Sequence, residues 1–120
     1  MKQEIGKALL VVFTEANPEV QEKSNEWFTV HHIPERMMVP GFLSARRFKL
    51  CEGDGAYKYL NIYELEDESV LHGEGYAKSV ATSTPPDYEP SHKSTRLVYR
   101  QVFPETGAFQ DKTGPAPSQS

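Results

Sequence analysis

The fold is organised around one stretch, Trp27-Phe28-Thr29-Val30-His31-His32-Ile33-Pro34-Glu35-Arg36, which is closed by the turn Val39-Pro40-Gly41-Phe42. Proline lacks a backbone N–H and pushes the residue before it out of the α region, so we expect a helix to end just before Pro34. His31 and His32 then lie in the last helical turn or just past it, where a side chain can face a cavity. Because histidine changes charge near neutral pH, the pair indicates a site for general acid–base chemistry.

The composition predicts one small domain. The chain has 120 residues, 38% of them hydrophobic, which is enough for a single core. A net charge of −4, with acids and bases interspersed, argues against a nucleic-acid partner. No apolar run approaches the roughly 20 residues of a membrane span, and the N-terminus lacks the pattern of a signal peptide. Since the lone Cys51 has no partner for an internal disulfide, we expect a soluble, cytoplasmic protein.

Apolar runs and turn signals predict the element order strand, helix, strand, strand, helix, strand. The strands cover 7–14, 42–50, 57–65 and 95–103, one helix starts at the Asn17-Pro18 cap, and the other covers 69–81. This order is the α+β, ferredoxin-like βαββαβ arrangement, a four-stranded antiparallel sheet with two helices on one face. We expect this domain to span 1–103, followed by a Pro/Gly/Ser-rich tail over 104–120 that has little to bury.

The third strand alternates between two kinds of side chain. Leu60 and Ile62 offer only burial, so we expect them to pack on the helices and to leave Tyr59, Asn61 and Tyr63 on the uncovered face of the sheet. A large uncovered apolar face is unusual in a soluble monomer. A second copy is the natural cover, which predicts a two-fold homodimer whose two sheets form a dimeric α+β barrel around a cavity. A monomer whose tail covers the sheet is the alternative.

Two segments carry a resemblance to a known group of proteins: Trp27-Phe28-x-x-His31-His32-Ile33-Pro34-Glu35-Arg36 with Val39-Pro40-Gly41-Phe42, and Lys58-Tyr59-Leu60-x-x-Tyr63-Glu64-Leu65. They resemble the dimeric α+β barrel superfamily and, within it, the ethyl tert-butyl ether degradation (EthD)-like proteins, whose His-x-Pro motif is matched by His32-Ile33-Pro34. The resemblance covers about residues 5 to 103. Proteins of this superfamily include cofactor-free monooxygenases, isomerases, cyclases, decarboxylases and haem proteins. The resemblance therefore implies one fold but several possible functions.

Our predicted catalytic residues are His32, as general acid or base, and Tyr59, which would position the substrate and stabilise a developing enolate or oxyanion. Asn61 and Tyr63 would line the wall and stabilise a developing enolate or oxyanion. The same tyrosines also suit a dimer interface without a ligand. His32 itself has a plainer alternative, which is to bond a backbone carbonyl at the end of the helix.

The remaining predicted substrate-binding residues are Trp27, Phe28, His31 and Arg46. His31 shares a helical face with Trp27, whereas the family pattern favours His32, so the histidine that faces the cavity stays open. Arg46 would bind a carboxylate or phenolate if its strand face points inward. A shift of one residue in register would put Arg47 in that place.

The sequence predicts neither cofactor nor metal. It holds no phosphate loop and no dinucleotide fingerprint, and adjacent histidines on a helix diverge by about 100°, so His31, His32 and Glu35 make a poor ligand set. Our leading hypothesis is a cofactor-independent lyase or isomerase that acts on a small aromatic or unsaturated oxygenated acid, by proton transfer, cyclisation, decarboxylation or dehydration. A cofactor-free monooxygenase and a non-catalytic ligand-binding or accessory protein are the alternatives.

Overall fold

A four-stranded antiparallel sheet carries the helices on one of its faces in the computed structural model, which describes residues 5–89 and 92–109. The strands are β1 (Ala8–Ala16), β2 (Phe42–Lys49), β3 (Tyr59–Leu65) and β4 (His92–Arg100). Their order in the sheet is β2-β3-β1-β4, with every neighbouring pair antiparallel. The ferredoxin-like βαββαβ prediction is therefore confirmed, although β4 starts and ends three residues before its predicted position.

The first helical region continues through Pro34 instead of ending before it. A 3₁₀ turn (Pro18–Val20) leads into α1 (Gln21–Trp27), a π-helical turn (Phe28–His32) and α2 (Ile33–Met37). Ile33 has φ −65° and ψ −48°, so the predicted helix end is wrong. The N–H of Ile33 bonds to the carbonyl of Phe28, five residues back, and Pro34 falls in the first turn of α2, where a missing donor is tolerated.

The second helical region is divided by a glycine. A 3₁₀ turn (Glu68–His72) precedes α3 (Glu74–Ala81), and Gly73 between them has extended φ −92° and ψ 169°. The predicted single helix over 69–81 is thus two short elements, in keeping with the low helical propensity of glycine. The predicted acidic cap is confirmed, since the Asp67 carboxylate accepts a 2.8 Å hydrogen bond from the N–H of Ser69.

The core lies between the helices and the side of the sheet that carries Tyr63 and Leu65, which are 1% and 0% exposed. It contains Ala8, Leu10, Val39, Phe42, Tyr63, Leu65 and Leu71. Asn61 is buried on the same side, so the prediction that Tyr59, Asn61 and Tyr63 lie on the uncovered face is wrong. The prediction assumed that the aliphatic side of β3 packs on the helices. Leu60 and Ile62 instead pair with Phe13 and Val11 in an apolar patch on the other face of the sheet. Because both faces of β3 carry apolar side chains, aliphatic residues alone do not indicate which face packs on the helices.

A bulge in β2 decides which arginine reaches the helix side. Phe42 pairs with Leu65 and the next pair is Ser44 with Glu64, so Leu43 is an extra residue. Beyond the bulge Arg47 pairs with Asn61 on the helix side, and Arg46 pairs with Ile62 on the other face. The predicted role of Arg46 in the cavity is therefore wrong, and Arg47 takes its place.

We call the side of the sheet away from the helices the open face, formed by Leu9, Val11, Phe13, Ser44, Arg46, Phe48, Leu60, Ile62, Glu64, Thr95, Leu97 and Tyr99. Of the predicted tail, residues 110–120 lie outside the described residues. Within the described residues, none of the helices has the length and apolar character that crossing a membrane requires.

Candidate functional site

His32, and not His31, is the inward-facing histidine. Its ring centroid lies 4.8 Å from that of Trp27 and 5.4 Å from that of Phe28, with the Phe28 ring edge-on. His32 Nδ1 is buried and has no hydrogen-bond partner among the described residues. His31 is exposed and borders a surface cleft with Trp27 and Thr84. The π-helical turn thus leaves only one of the two adjacent histidines beside the sheet.

Arg47 is the centre of the site. Its guanidinium donates hydrogen bonds to Asn61 Oδ1 at 2.7 Å and to Asn25 Oδ1 at 3.0 Å. The guanidinium carbon lies 4.3 Å from the ring centroid of Phe28 and 4.7 Å from that of Tyr59. In the part of the chain that the structure describes, no carboxylate forms an ion pair with it. Burial lowers the pKa of Arg47, yet an arginine keeps its charge at neutral pH, so the site holds a cation without a counterion.

Polar atoms without partners gather around this cation. His32 Nδ1, Asn61 Nδ2, Tyr63 Oη and Tyr88 Oη are buried and make no hydrogen bond of good geometry within the described ranges. The Asn61 amide nevertheless lies close enough to Tyr63 to lower the pKa of the tyrosine as a weak hydrogen-bond partner, so His32 Nδ1 and Tyr88 Oη are the two atoms without any partner in the described part of the chain. Asn61 is hydrogen-bonded to Arg47. The Arg47 charge also interacts electrostatically with His32, Tyr63 and Tyr88. A buried polar group left unpaired costs about 1–3 kcal/mol, and such groups are rare in folded proteins. A cluster of them beside an uncompensated cation is typical of a binding site for an anionic, oxygen-rich molecule.

The environment separates the pKa values of the histidine and the tyrosine. Burial lowers the pKa of His32 from 6.5 to about 4; the Arg36 and Arg47 charges act in the same direction, and Glu35 opposes them. Burial raises the pKa of Tyr63 to about 12. At pH 7 His32 is therefore a neutral imidazole that can accept a proton, and Tyr63 is a hydroxyl that can donate a hydrogen bond.

A segment that we call the strap (82–89) is tied to the helical region beside His32. The indole N–H of Trp27 donates to the carbonyl of Thr84 at 3.0 Å. The Thr84 N–H donates to Glu35 Oε1 at 3.1 Å, and its hydroxyl donates to Glu35 Oε2. These two bonds lower the pKa of Glu35, which serves here to hold the strap. The strap also carries Tyr88.

Arg36 anchors the base of the strap. Its guanidinium donates to Ser83 Oγ at 2.8 Å, and to the hydroxyl and the carbonyl of Ser79 at 3.0 and 3.3 Å. Arg36 is 8% exposed and pairs with no carboxylate within the described ranges. It therefore adds a second buried positive charge near His32 and Tyr63.

The structure brings most of the predicted site residues together. Arg47 contacts or interacts with Phe28, His32, Tyr59, Asn61 and Tyr63. Trp27 packs on His32 and Phe28, and His31 and Arg46 are not part of the cluster. Sequence reasoning missed Tyr88, Asn25 and Arg36. Asn25 and Arg36 carry no periodic signal beyond that of any polar helical residue, and Tyr88 lies in an irregular segment with several prolines, where no pattern indicates direction.

Two clefts flank this cluster without containing it. One, of about 400 Å³, lies between α2 and α3 and is lined by Glu35, Met38, Val39, Pro40, Gly75 and neighbouring α3 residues. The other, of about 270 Å³, lies between α1, His31 and the strap. Neither cleft is lined by His32, Asn61 or Tyr63, but Glu35 in the first and Thr84 in the second belong to the contacts that hold the strap.

Among residues 5–89 and 92–109, no group of three or more His, Cys, Asp or Glu side chains is placed to hold a metal ion. The polar side chains gathered at the site are an imidazole, two guanidinium groups, two amides and phenols.

Comparison with known proteins gives the family and the fold. The sequence profile of a family described as a domain of unknown function, DUF4286, matches residues 7–117. No curated protein matches the chain in sequence.

Solved structures of distant proteins share the fold. A Shewanella loihica PV-4 protein, provisionally assigned as a monooxygenase, aligns with a TM-score of 0.61 at 14% identity, over 82% of this chain and 97% of its own. The heme-degrader MhuD from Mycobacterium tuberculosis aligns with a TM-score of 0.61 at 16% identity, over 83% and 99%. An EthD family protein from Bacillus halodurans C-125 aligns with a TM-score of 0.55 at 11% identity, over 80% and 99%. The resemblance to the EthD-like fold is thereby confirmed, and at these identities the likeness concerns the fold alone.

Proposed function

Because the chain belongs to the DUF4286 family, a domain of unknown function, we propose its function from the chemistry of its own site: proton transfer on a small aromatic or unsaturated oxygenated acid, with His32 as the base. The observation that carries this proposal is the set of buried polar atoms without well-formed hydrogen bonds around the Arg47 cation, with His32 Nδ1 the candidate base among them. The reaction class is that of a lyase or isomerase, and its steps need no chemistry beyond these side chains.

Each group has a distinct part in the proposed reaction. Arg47 binds the carboxylate of the substrate, while the Phe28 and Tyr59 rings, which lie against the guanidinium, hold that cation in position. His32 Nδ1 takes a proton from the carbon next to a carbonyl group and returns it at another position or to a leaving group. Tyr63 Oη and Asn61 Nδ2 donate hydrogen bonds to the oxygen on which negative charge develops.

The low pKa of His32 suits this sequence of events. The Arg36 and Arg47 charges help to keep the imidazole unprotonated. A bound carboxylate offsets these charges, which raises the pKa of His32 and makes the imidazole a stronger base when the substrate is in place. Binding of the acid and activation of the base are therefore coupled.

Hydrogen exchange on a keto acid tests the proposal. Phenylpyruvate in D₂O exchanges its benzylic protons on enolisation, and ¹H NMR follows the loss of signal. We expect the protein to raise the exchange rate at least tenfold over buffer, and His32→Gln to abolish the increase. His31→Gln is the matched control, because that side chain is exposed, and it should retain the wild-type rate.

Two further results separate the other hypotheses. Oxygen consumption that depends on His32, measured with an oxygen electrode, would favour the monooxygenase. Binding of phenylpyruvate or benzoate with no catalysed exchange, and with the same affinity in His32→Gln, would instead indicate a ligand-binding protein. Trp27 is the only tryptophan in the chain and its ring contacts His32, so its fluorescence reports binding at this site.

We also propose that the protein acts as a homodimer through the open face. Leu97 and Phe48 remain 39% and 37% exposed there, and Tyr99 at the edge is 53% exposed. An apolar sheet face of this size is rarely left to solvent, and a second copy of the same face is complementary to it in character. Sedimentation of the full chain at micromolar concentration tests this arrangement, and a monomeric mass would contradict it.

A further inference from the structure

An apolar hook follows β4. We give this name to residues 101–109, in which Val102, Phe103 and Phe109 are 87%, 72% and 66% exposed. The Gln101 side chain shapes the hook by donating to the carbonyls of Pro104 at 2.6 Å and Gly107 at 2.8 Å. The ring centroids of Phe103 and Phe109 lie 6.0 Å apart. The hook is thus an internally bonded loop that presents large apolar side chains to solvent.

A small apolar pocket lies at the far end of the open face. Its volume is about 220 Å³, and its wall includes Phe13, Phe48, Leu50, Tyr57 and Leu60. Leu50 is 39% exposed at its edge. The space suits one aromatic side chain.

The hook and the pocket of one copy lie at opposite ends of the sheet. The hook begins where the N–H of Gln101 bonds to the carbonyl of Lys7, whereas the pocket surrounds Phe13, six residues along β1 and about 20 Å away. A two-fold axis that lies in the interface plane and is perpendicular to the strands makes the facing strands of the two copies antiparallel. Opposite ends of the two sheets then overlie each other. We infer that the hook of each copy inserts Phe103 into the pocket of the second copy. The inference rests on the proposed homodimer.

Charge supports this pairing. Glu105 lies two residues beyond Phe103 in the hook, and Lys49 and Lys58 line the pocket. All three side chains are exposed in a single copy. Insertion of Phe103 would bring the Glu105 carboxylate close to Lys49 and Lys58, and the Glu15 carboxylate, which accepts a 2.9 Å hydrogen bond from the Lys58 N–H, offsets part of their charge. Lys49 is therefore the cation that favours this orientation.

The area of the interface also favours a contribution from the hook. The paired part of the sheet, four strands wide and seven residues long, projects to roughly 450 Å². A stable interface buries about 800 Å² on each partner. Two phenylalanines and a valine add a few hundred Å², because an aromatic side chain can bury about 150–250 Å². The sheet and the hook together approach the size of a stable interface.

Sedimentation of exposed-residue variants tests the inference. We expect Phe103→Ser and Leu50→Ser each to weaken dimerisation at least tenfold while leaving the circular dichroism spectrum unchanged, since both side chains are partly exposed in one copy. Val30→Ser is the control, because Val30 is 55% exposed on the helical side. If the wild-type protein is a dimer and Phe103→Ser does not weaken it, the insertion of Phe103 is wrong and the proposed homodimer is not. A wild-type monomer would overturn both and leave the proposed chemistry of His32 untouched.

A cross-link gives a second, independent readout. Cys51 is exposed and adjoins Leu50, so Glu105→Cys should be joined to Cys51 of the second copy by a short bis-maleimide. Peptide mapping should identify the cross-link between position 105 of one copy and Cys51 of the other. Glu19→Cys, exposed on the helical side, should give no such joint. Failure of the Glu105→Cys joint to form in a confirmed dimer would overturn the inference.

Discussion

The guanidinium carbon of Arg47 lies 4.3 Å from the centre of the Phe28 ring, on the helix side of the sheet. The ring supports one face of the cation without neutralising it, because an aromatic face attracts a cation and carries no net charge. The next residue, Arg46, lies over Phe48 on the open face instead. Adjacent arginines thus lie over phenylalanine rings on opposite sides of one sheet.

Replacing these two arginines separates their roles. We expect Arg47→Met to weaken benzoate binding at least tenfold, because it removes the only cation of the pair on the site side. Arg46→Met is the matched control and should bind as the wild type does. Quenching of Trp27 fluorescence measures both affinities. Equal losses in the two variants would mean that the anion does not bind at this site.

His32 should make the stability of the fold depend on pH. Its pKa in the folded protein, about 4, is below the 6.5 of the unfolded chain, so the unfolded state binds more protons between these values and stability falls as the pH falls. We expect the free energy of unfolding to decrease by about 2 kcal/mol from pH 7 to 4.5 through this residue. Urea unfolding measures the slope, which His32→Gln should flatten and His31→Gln should leave unchanged.

Tyr63→Phe should separate stability from activity. Its hydroxyl is buried, makes no hydrogen bond of good geometry among the described residues and has only a weak interaction with Asn61, so removing it should change the free energy of unfolding by no more than about 1 kcal/mol. The same change should slow the exchange of phenylpyruvate protons, because a donor to the developing oxyanion is lost. Thermal unfolding and the exchange assay on one preparation measure both. A large loss of stability would show that the hydroxyl is bonded within the fold.

Thr84→Val should release one of the two bonds that hold the Glu35 carboxylate. The bond from the Thr84 hydroxyl is the largest contribution that lowers the pKa of Glu35, and the backbone N–H bond remains. We therefore expect this pKa to rise part of the way to its ordinary value. Titration of the ¹³C carboxyl signal measures it. Thr82→Val, whose hydroxyl bonds to the Lys78 carbonyl, is the control and should not move the signal.

Two glycines with positive φ should respond differently to alanine. Gly41 has φ +98°, and an added Cβ would lie 2.5 Å from Val70 Cγ2, so Gly41→Ala should cost about 3 kcal/mol from backbone strain and overlap. Gly53 has φ +103° with no atom within 4 Å of that position, so Gly53→Ala should cost about 1 kcal/mol. Denaturant midpoints give the difference, which measures how rigidly Val70 is packed.

The order of the elements could be predicted because local signals and tertiary packing agree. Apolar runs gave the strands, and the Asp67 cap gave the start of the second helical region. The helix end at Pro34 was predicted wrongly, because the rule for proline assumes an α-helix and does not foresee a π-helical turn that moves the proline into a new first turn. Such a turn has no pattern of its own in Phe28–His32.

The composition of the site could be predicted better than its position. Histidine, tyrosine and asparagine were identified by type, but the side of the sheet depends on which face the helices cover, and both faces of β3 are apolar enough to be buried. The choice between Arg46 and Arg47 depends on the bulge at Leu43, a single-residue feature that alternation of side chains does not reveal. Tyr88 reaches the site through the path of the strap, which only tertiary contacts define.

The π-helical turn also affects how the chain compares with its relatives. One additional residue in a turn rotates all that follows by about 100°, and with this rotation Trp27 and Glu35 both reach Thr84. A homologue that lacks one residue between positions 28 and 32 would keep a continuous α-helix but lose the common direction of these two side chains. A one-residue gap in an alignment there therefore signals a protein whose strap is held differently, even when every strand aligns and both histidines are retained.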